Sequence, residues 1–214
     1  MTTRRHPLAV AAAVAWLGSW LPLGAVGTAI DNLAIDRAIE IARGNEAARA
    51  AFHRPYTIPL GGTYERVEVI SEFRQVVMTA EERLAVDRRW ARSQARAALA
   101  PFRGLVTFVV WVRFPPQNVL VTAPNYNVVV YPEGTATPEA EANVLRSAAP
   151  AVMPLFAAGG GQALVGPPGS AMSGLRVAVT FPAEQLRLDR SCTVAILLEG
   201  EEQARVELDL GRLR

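Results

Sequence analysis

Leu105-Val106-Thr107-Phe108-Val109-Val110-Trp111-Val112-Arg113-Phe114 decides the class of this fold. Val106, Phe108, Val110 and Val112 are apolar on one side of its period, and Leu105, Val109 and Trp111 on the other. β-Branched and aromatic residues at a period of two build a strand. Apolar residues on both faces mark one that is central and covered. Much of the chain before it, from Asp31 to Ala100, carries apolar residues at helical spacing instead. Helical sequence followed by strand sequence, without alternation of the two, points to α+β and not to a parallel α/β fold.

Working toward the N-terminus, Val69, Ile70, Phe73, Val76 and Val77 fall at i, i+1, i+4, i+7 and i+8. That stripe predicts a helix with Glu65, Glu68, Glu72 and Arg74 on its other faces. Glu81 to Ala100 predicts another helix or a bent continuation, stopped by Pro101 and Gly104. Asp31 caps an earlier helix bearing Leu33, Ile35, Ala38, Ile39 and Ala42, and Asn45 caps a short one from Glu46 to Phe52. Ile58 to Gly62, with Pro59 and Gly61-Gly62, reads as a loop.

Toward the C-terminus, Pro115-Pro116 ends the central strand. Short strands are expected from Val119 to Val121 and from Val128 to Tyr131, turning about Pro124-Asn125-Tyr126-Asn127. Residues 132–172 are rich in Gly and Pro and read as a long surface loop, with a short helix opening at Pro138 and running to about Ser147. Three strands close the chain, around Leu175 to Phe181, Thr193 to Leu198 and Ala204 to Leu210, the last two joined at Glu199-Gly200. The expected architecture is a helical region over 28–103 and a β-rich region over 104–214. The helices, led by the stripe from Val69 to Val77, pack on a mainly antiparallel sheet or small β-sandwich.

The first 27 residues carry an address. Arg4 and Arg5 precede a charge-free, Ala-, Val- and Leu-rich stretch that ends in small residues. This is the layout of an export signal, with cleavage expected after Gly27, at Ala25-Val26-Gly27. Retained, residues 7–26 are just long enough for a membrane tether. The expectation is therefore a protein of the periplasm or cell envelope. Without Arg4 and Arg5, 20 Arg balance 20 acidic residues, so the overall charge carries no nucleic-acid signal. Every cation is Arg and none is Lys, as in a GC-rich bacterial coding sequence.

Composition also excludes chemistry. Without Lys there is no Schiff base, lysine base or P-loop lysine. His53 is the sole histidine after the leader and Cys192 the sole cysteine, so no intramolecular disulfide and no His/Cys metal cluster is expected. Cys192 lies in an apolar run and reads as a buried, inert thiol. Ser170 and Ser173 lack the G-x-S-x-G spacing of a hydrolase elbow. Trp90 and Trp111 are expected to face the core. No catalytic residue, metal or cofactor is assigned.

Three groups remain as candidate binding residues. Arg88, Arg89, Arg92 and Arg96 are expected along one face of the helix from Glu81 to Ala100, as a docking stripe for an acidic partner or anionic lipid head groups. His53 and Tyr56, in Phe52-His53-Arg54-Pro55-Tyr56, and Gln117 and Asn118, after the central strand, are the others. The reading is a non-catalytic exported binding domain for a protein or envelope partner. The alternative is an envelope hydrolase using carboxylates with His53.

Overall fold

A computed structural model describes residues 30–132, 143–158, 161–164, 166 and 169–213. The leader, and the start of the helix expected from Pro138, lie outside the described residues. Four α-helices are described: α1 (Asn32–Arg43), α2 (Glu46–His53), α3 (Glu72–Val86) and α4 (Arg92–Leu99). The strands are β1 (Thr57–Gly61), β2 (Tyr64–Ile70), β3 (Leu105–Arg113), β4 (Tyr126–Tyr131), β5 (Leu145–Arg146), β6 (Ala151–Ala158), β7 (Gly161–Ala163), β8 (Met172–Pro182), β9 (Ser191–Leu198) and β10 (Glu201–Asp209). Among the described residues they form two antiparallel sheets, ordered β1-β2-β3-β8-β6-β7 and β10-β9-β4-β5. The fold is α+β.

The decisive stretch is β3, held between β2 and β8. Its even side chains meet those of β8 in register, Phe108 opposite Val179 and Val110 opposite Val177. The second sheet answers with Val128 and Val130 of β4 and Val194 and Ile196 of β9, and these residues of both sheets form one buried core. Each such side chain, fully buried, contributes about 1.5–3 kcal/mol. Gly174, in β8, lets the strands approach. A Cβ there would stand 2.3 Å from the Val112 carbonyl oxygen.

Residues 57–70 correct the expectation of a loop followed by a helix. They form the β1–β2 hairpin, turned at Gly61 and Gly62, both at positive φ. Val67 and Val69 pair with Val110 and Phe108 of β3, and that pairing draws them into the sheet. The apolar stripe therefore divides. Val69 joins the sandwich core, while Val76 and Val77 join a separate helical core with Ile35, Ala38, Ile39, Trp90 and Leu99. Phe52 packs against both cores.

Other elements also differ from expectation. Val119, Leu120 and Val121 form no strand and stand exposed, in a loop where Met172 N–H donates to the Leu120 carbonyl. Residues 132–172, expected as a long loop with a short helix running to about Ser147, contain β5, β6 and β7, and β5 stands where that helix was expected to end. Trp90 is buried in the helical core as expected. Trp111 is not in a core: it faces away from the sandwich core, stacked between the guanidiniums of Arg66 and Arg176 at 3.9 and 4.5 Å. Among the described residues no helix is long and apolar enough to cross a membrane.

Candidate functional site

The helical layer hangs from one end of the large sheet, since β2 enters it after Ile70 and β3 leaves it at Leu105. Ser71 caps α3 through its hydroxyl, which accepts from Arg74 N–H. This sets Arg74 in the first turn of α3, 4% exposed. Its Nη1 donates to the carbonyls of Val69 at 2.8 Å and Tyr56 at 3.3 Å, and its Nη2 to Glu68 at 3.2 Å. Burial lowers the pKa of this guanidinium and the Glu68 carboxylate opposes that shift. A guanidinium nevertheless stays charged in a protein.

His53 ends α2, where Asn45 caps the opposite terminus. The Nδ1 of His53 accepts from Arg74 Nε at 3.3 Å, and its Nε2 lies 3.1 and 3.2 Å from the two oxygens of Glu81. Tyr56 is buried three residues on, under the Arg74 guanidinium. Burial raises its phenol pKa, and Ser71 and Arg74 counter the rise. His53 and Tyr56 thus meet the same arginine. Glu81, which nothing in the local sequence ties to His53, completes the group from 28 positions away.

The arginine stripe needs correction. α3 ends at Val86, and Arg88 and Arg89 lie in the turn before α4, not on a helix. Asp87 makes that turn: its side chain accepts from Arg89 N–H and its carbonyl from Trp90 N–H. Arg92 and Arg96 do lie on α4, but both point to α1. Arg92 is paired with Asp36, and Arg96 donates to Asn32. These two tie helices together at an exposed seam, where ion pairs are screened and add little.

Arg88 belongs to a different constellation. A cleft of about 380 Å³ is lined by Arg43 at the end of α1, Arg49 of α2, Glu81 and Leu84 of α3, and Arg88. Among the described residues none of these three arginines forms an ion pair with an acidic group. Glu81, the acid in the cleft, is occupied by His53. Unit charges 4 Å apart near a protein surface interact by about 4 kcal/mol. Three cations against one shared carboxylate therefore favour an incoming anion.

Gln117 and Asn118 lie away from this cleft, past the far end of β3. Asn118 ties its loop to the start of β8, donating from Nδ2 to the Met172 carbonyl at 2.7 Å, and Gln117 beside it is exposed. Among the described residues no three metal-ligating side chains gather. No family model, curated protein or solved structure matches the chain. The cleft is thus read from its own geometry.

Proposed function

We propose that this chain is a non-catalytic binding domain of the periplasm or cell envelope, and that the arginine-lined cleft receives an anionic group of its partner. One observation carries the reading: Arg43, Arg49 and Arg88 converge on a single cleft without ion-pair partners among the described residues. Guanidiniums grip carboxylates through paired N–H donors, which suits them to this task. The place of action rests on the leader-like residues 1–27.

A hydrolase built on His53 has one observation in its favour, the carboxylate of Glu81 within hydrogen-bond reach. Against it, Nδ1 of His53 is taken by Arg74 and Nε2 by Glu81. A general base needs a ring nitrogen open to the proton it removes. The binding reading is the better supported.

Titrating the full chain with hexaglutamate tests it. We expect saturable binding that weakens about tenfold or more when Arg49 and Arg88 are both replaced by Gln, and that weakens in high salt. Equal binding by the double variant overturns the cleft as the site. For location, N-terminal sequencing of the native protein should find a start near Thr28 in the envelope fraction. An intact Met1 in the cytosol overturns export.

A further inference from the structure

We infer that the cleft selects a dipolar headgroup, a carboxylate beside an ammonium, as carried by a free α-amino acid; this rests on the cleft being the binding site proposed above. Glu81 lines the same cleft as Arg43, Arg49 and Arg88. Its carboxylate is held in place. Both oxygens lie within 3.2 Å of His53 Nε2, and the ring cannot turn freely because its Nδ1 is bonded to the buried Arg74. A fixed negative charge therefore stands among three cations.

A ligand that is only an anion faces repulsion from Glu81 once it meets the arginines. One that is only a cation faces three guanidiniums. A ligand bearing both charges satisfies both sides, its carboxylate taking paired donors from arginine and its ammonium donating to the oxygens of Glu81. A carboxylate has about four acceptor positions, so accepting from His53 leaves Glu81 free to take more. The cleft volume of about 380 Å³ suits a small molecule. Ligand sites run from roughly 300 to 1,000 Å³. Leu84 and Ala85 offer it an apolar wall for a short aliphatic side chain. In this account His53 and Arg74 are positioning residues, and Glu81 determines specificity.

Three probes titrated calorimetrically into the full chain test the inference: L-valine, N-acetyl-L-valine, which lacks the ammonium, and L-valinamide, which lacks the carboxylate. L-Valine is expected to bind saturably and each blocked form about tenfold or more weakly. In Glu81→Gln the penalty on N-acetyl-L-valine should disappear while that on L-valinamide remains. That variant also removes the acceptor of His53, so the blocked probes on the unaltered chain carry the test by themselves. N-Acetyl-L-valine binding as tightly as L-valine overturns the dipolar inference. Hexaglutamate binding with no L-valine binding overturns it too, and leaves the anion-binding cleft standing. Failure of every probe overturns both.

Discussion

The Nε–H of Arg74 donates to Nδ1 of His53 across 3.3 Å. A guanidinium offers no acceptor in return, so this bond requires the His53 nitrogen to be unprotonated. The ring proton then belongs on Nε2, the atom beside Glu81. Nitrogen-15 NMR of the histidine ring should show an Nε2–H tautomer with Nδ1 as acceptor. The opposite tautomer would mean that Arg74 does not hold the ring, and that Glu81 is not fixed by it.

Removing that arginine should be costly. Arg74→Met strips a donor from the carbonyls of Val69 and Tyr56 and leaves Glu68 with Arg66 as its remaining partner. Because Glu68 keeps Arg66, the cost falls chiefly on the buried carbonyls, and a buried polar group left unsatisfied costs about 1–3 kcal/mol. Urea unfolding should register a loss of that order. A loss under about 1 kcal/mol would show that the junction between hairpin and helices is held by packing alone.

Gly174→Ala probes the sandwich in the same way. The new Cβ would meet a backbone oxygen at 2.3 Å, and backbone cannot swing aside as a side chain does. Overpacking of this kind costs about 1–3 kcal/mol or more. The melting temperature should fall accordingly. An unchanged melting temperature would mean that β3 and β8 separate here without penalty.

Cys192 is buried, and burial pushes its thiol up to about 12. Its value in an unfolded chain is about 8.5. Folding therefore favours the protonated thiol. That contribution is complete below a pH of roughly 8.5 and shrinks above it, and it is gone once pH has risen through the folded value. The phenol of Tyr126 is raised in the same direction by burial and by its neighbour Tyr64. Stability should decline steadily on the alkaline side. At pH 8 iodoacetamide should leave Cys192 unmodified in the native protein and label it in urea, as mass spectrometry can read. Rapid native labelling would place the thiol at the surface.

These tests bear on features that differ in how far the sequence reveals them. β3 was legible because both its faces are apolar, which only a covered strand requires. The α1 and α2 caps were legible because Asp31 and Asn45 act within three residues of themselves. Val69 and Ile70 were not, since they fit the helical stripe that continues through Phe73 and Val77 as well as they fit a strand. The pairing of Val69 with Phe108, distant in sequence, settles the matter. Val119, Leu120 and Val121 carry strand propensity but pair with no strand as neighbours in a sheet, and propensity without pairing makes no strand. In the site, His53, Tyr56 and Arg88 could be picked out as residues. Their partners could not, because Glu81 and Arg74 reach His53 only through the packing of α2 on α3. A local signal did exist for the turn at Arg88: Asp87 two residues before Arg89 is a common turn former.

The Arg66–Trp111–Arg176 stack has a consequence for how the large sheet finds its alignment. Arg66 stands opposite Trp111 on β2 and β3, and Trp111 opposite Arg176 on β3 and β8. A slip of one residue in either pairing would turn one member to the other face, driving a guanidinium or an indole into the aliphatic interior. Val-rich strands such as these, with so many interchangeable side chains, have little else to distinguish one alignment from the next. The stack is a keyed joint across three strands, admitting one alignment and penalising its neighbours.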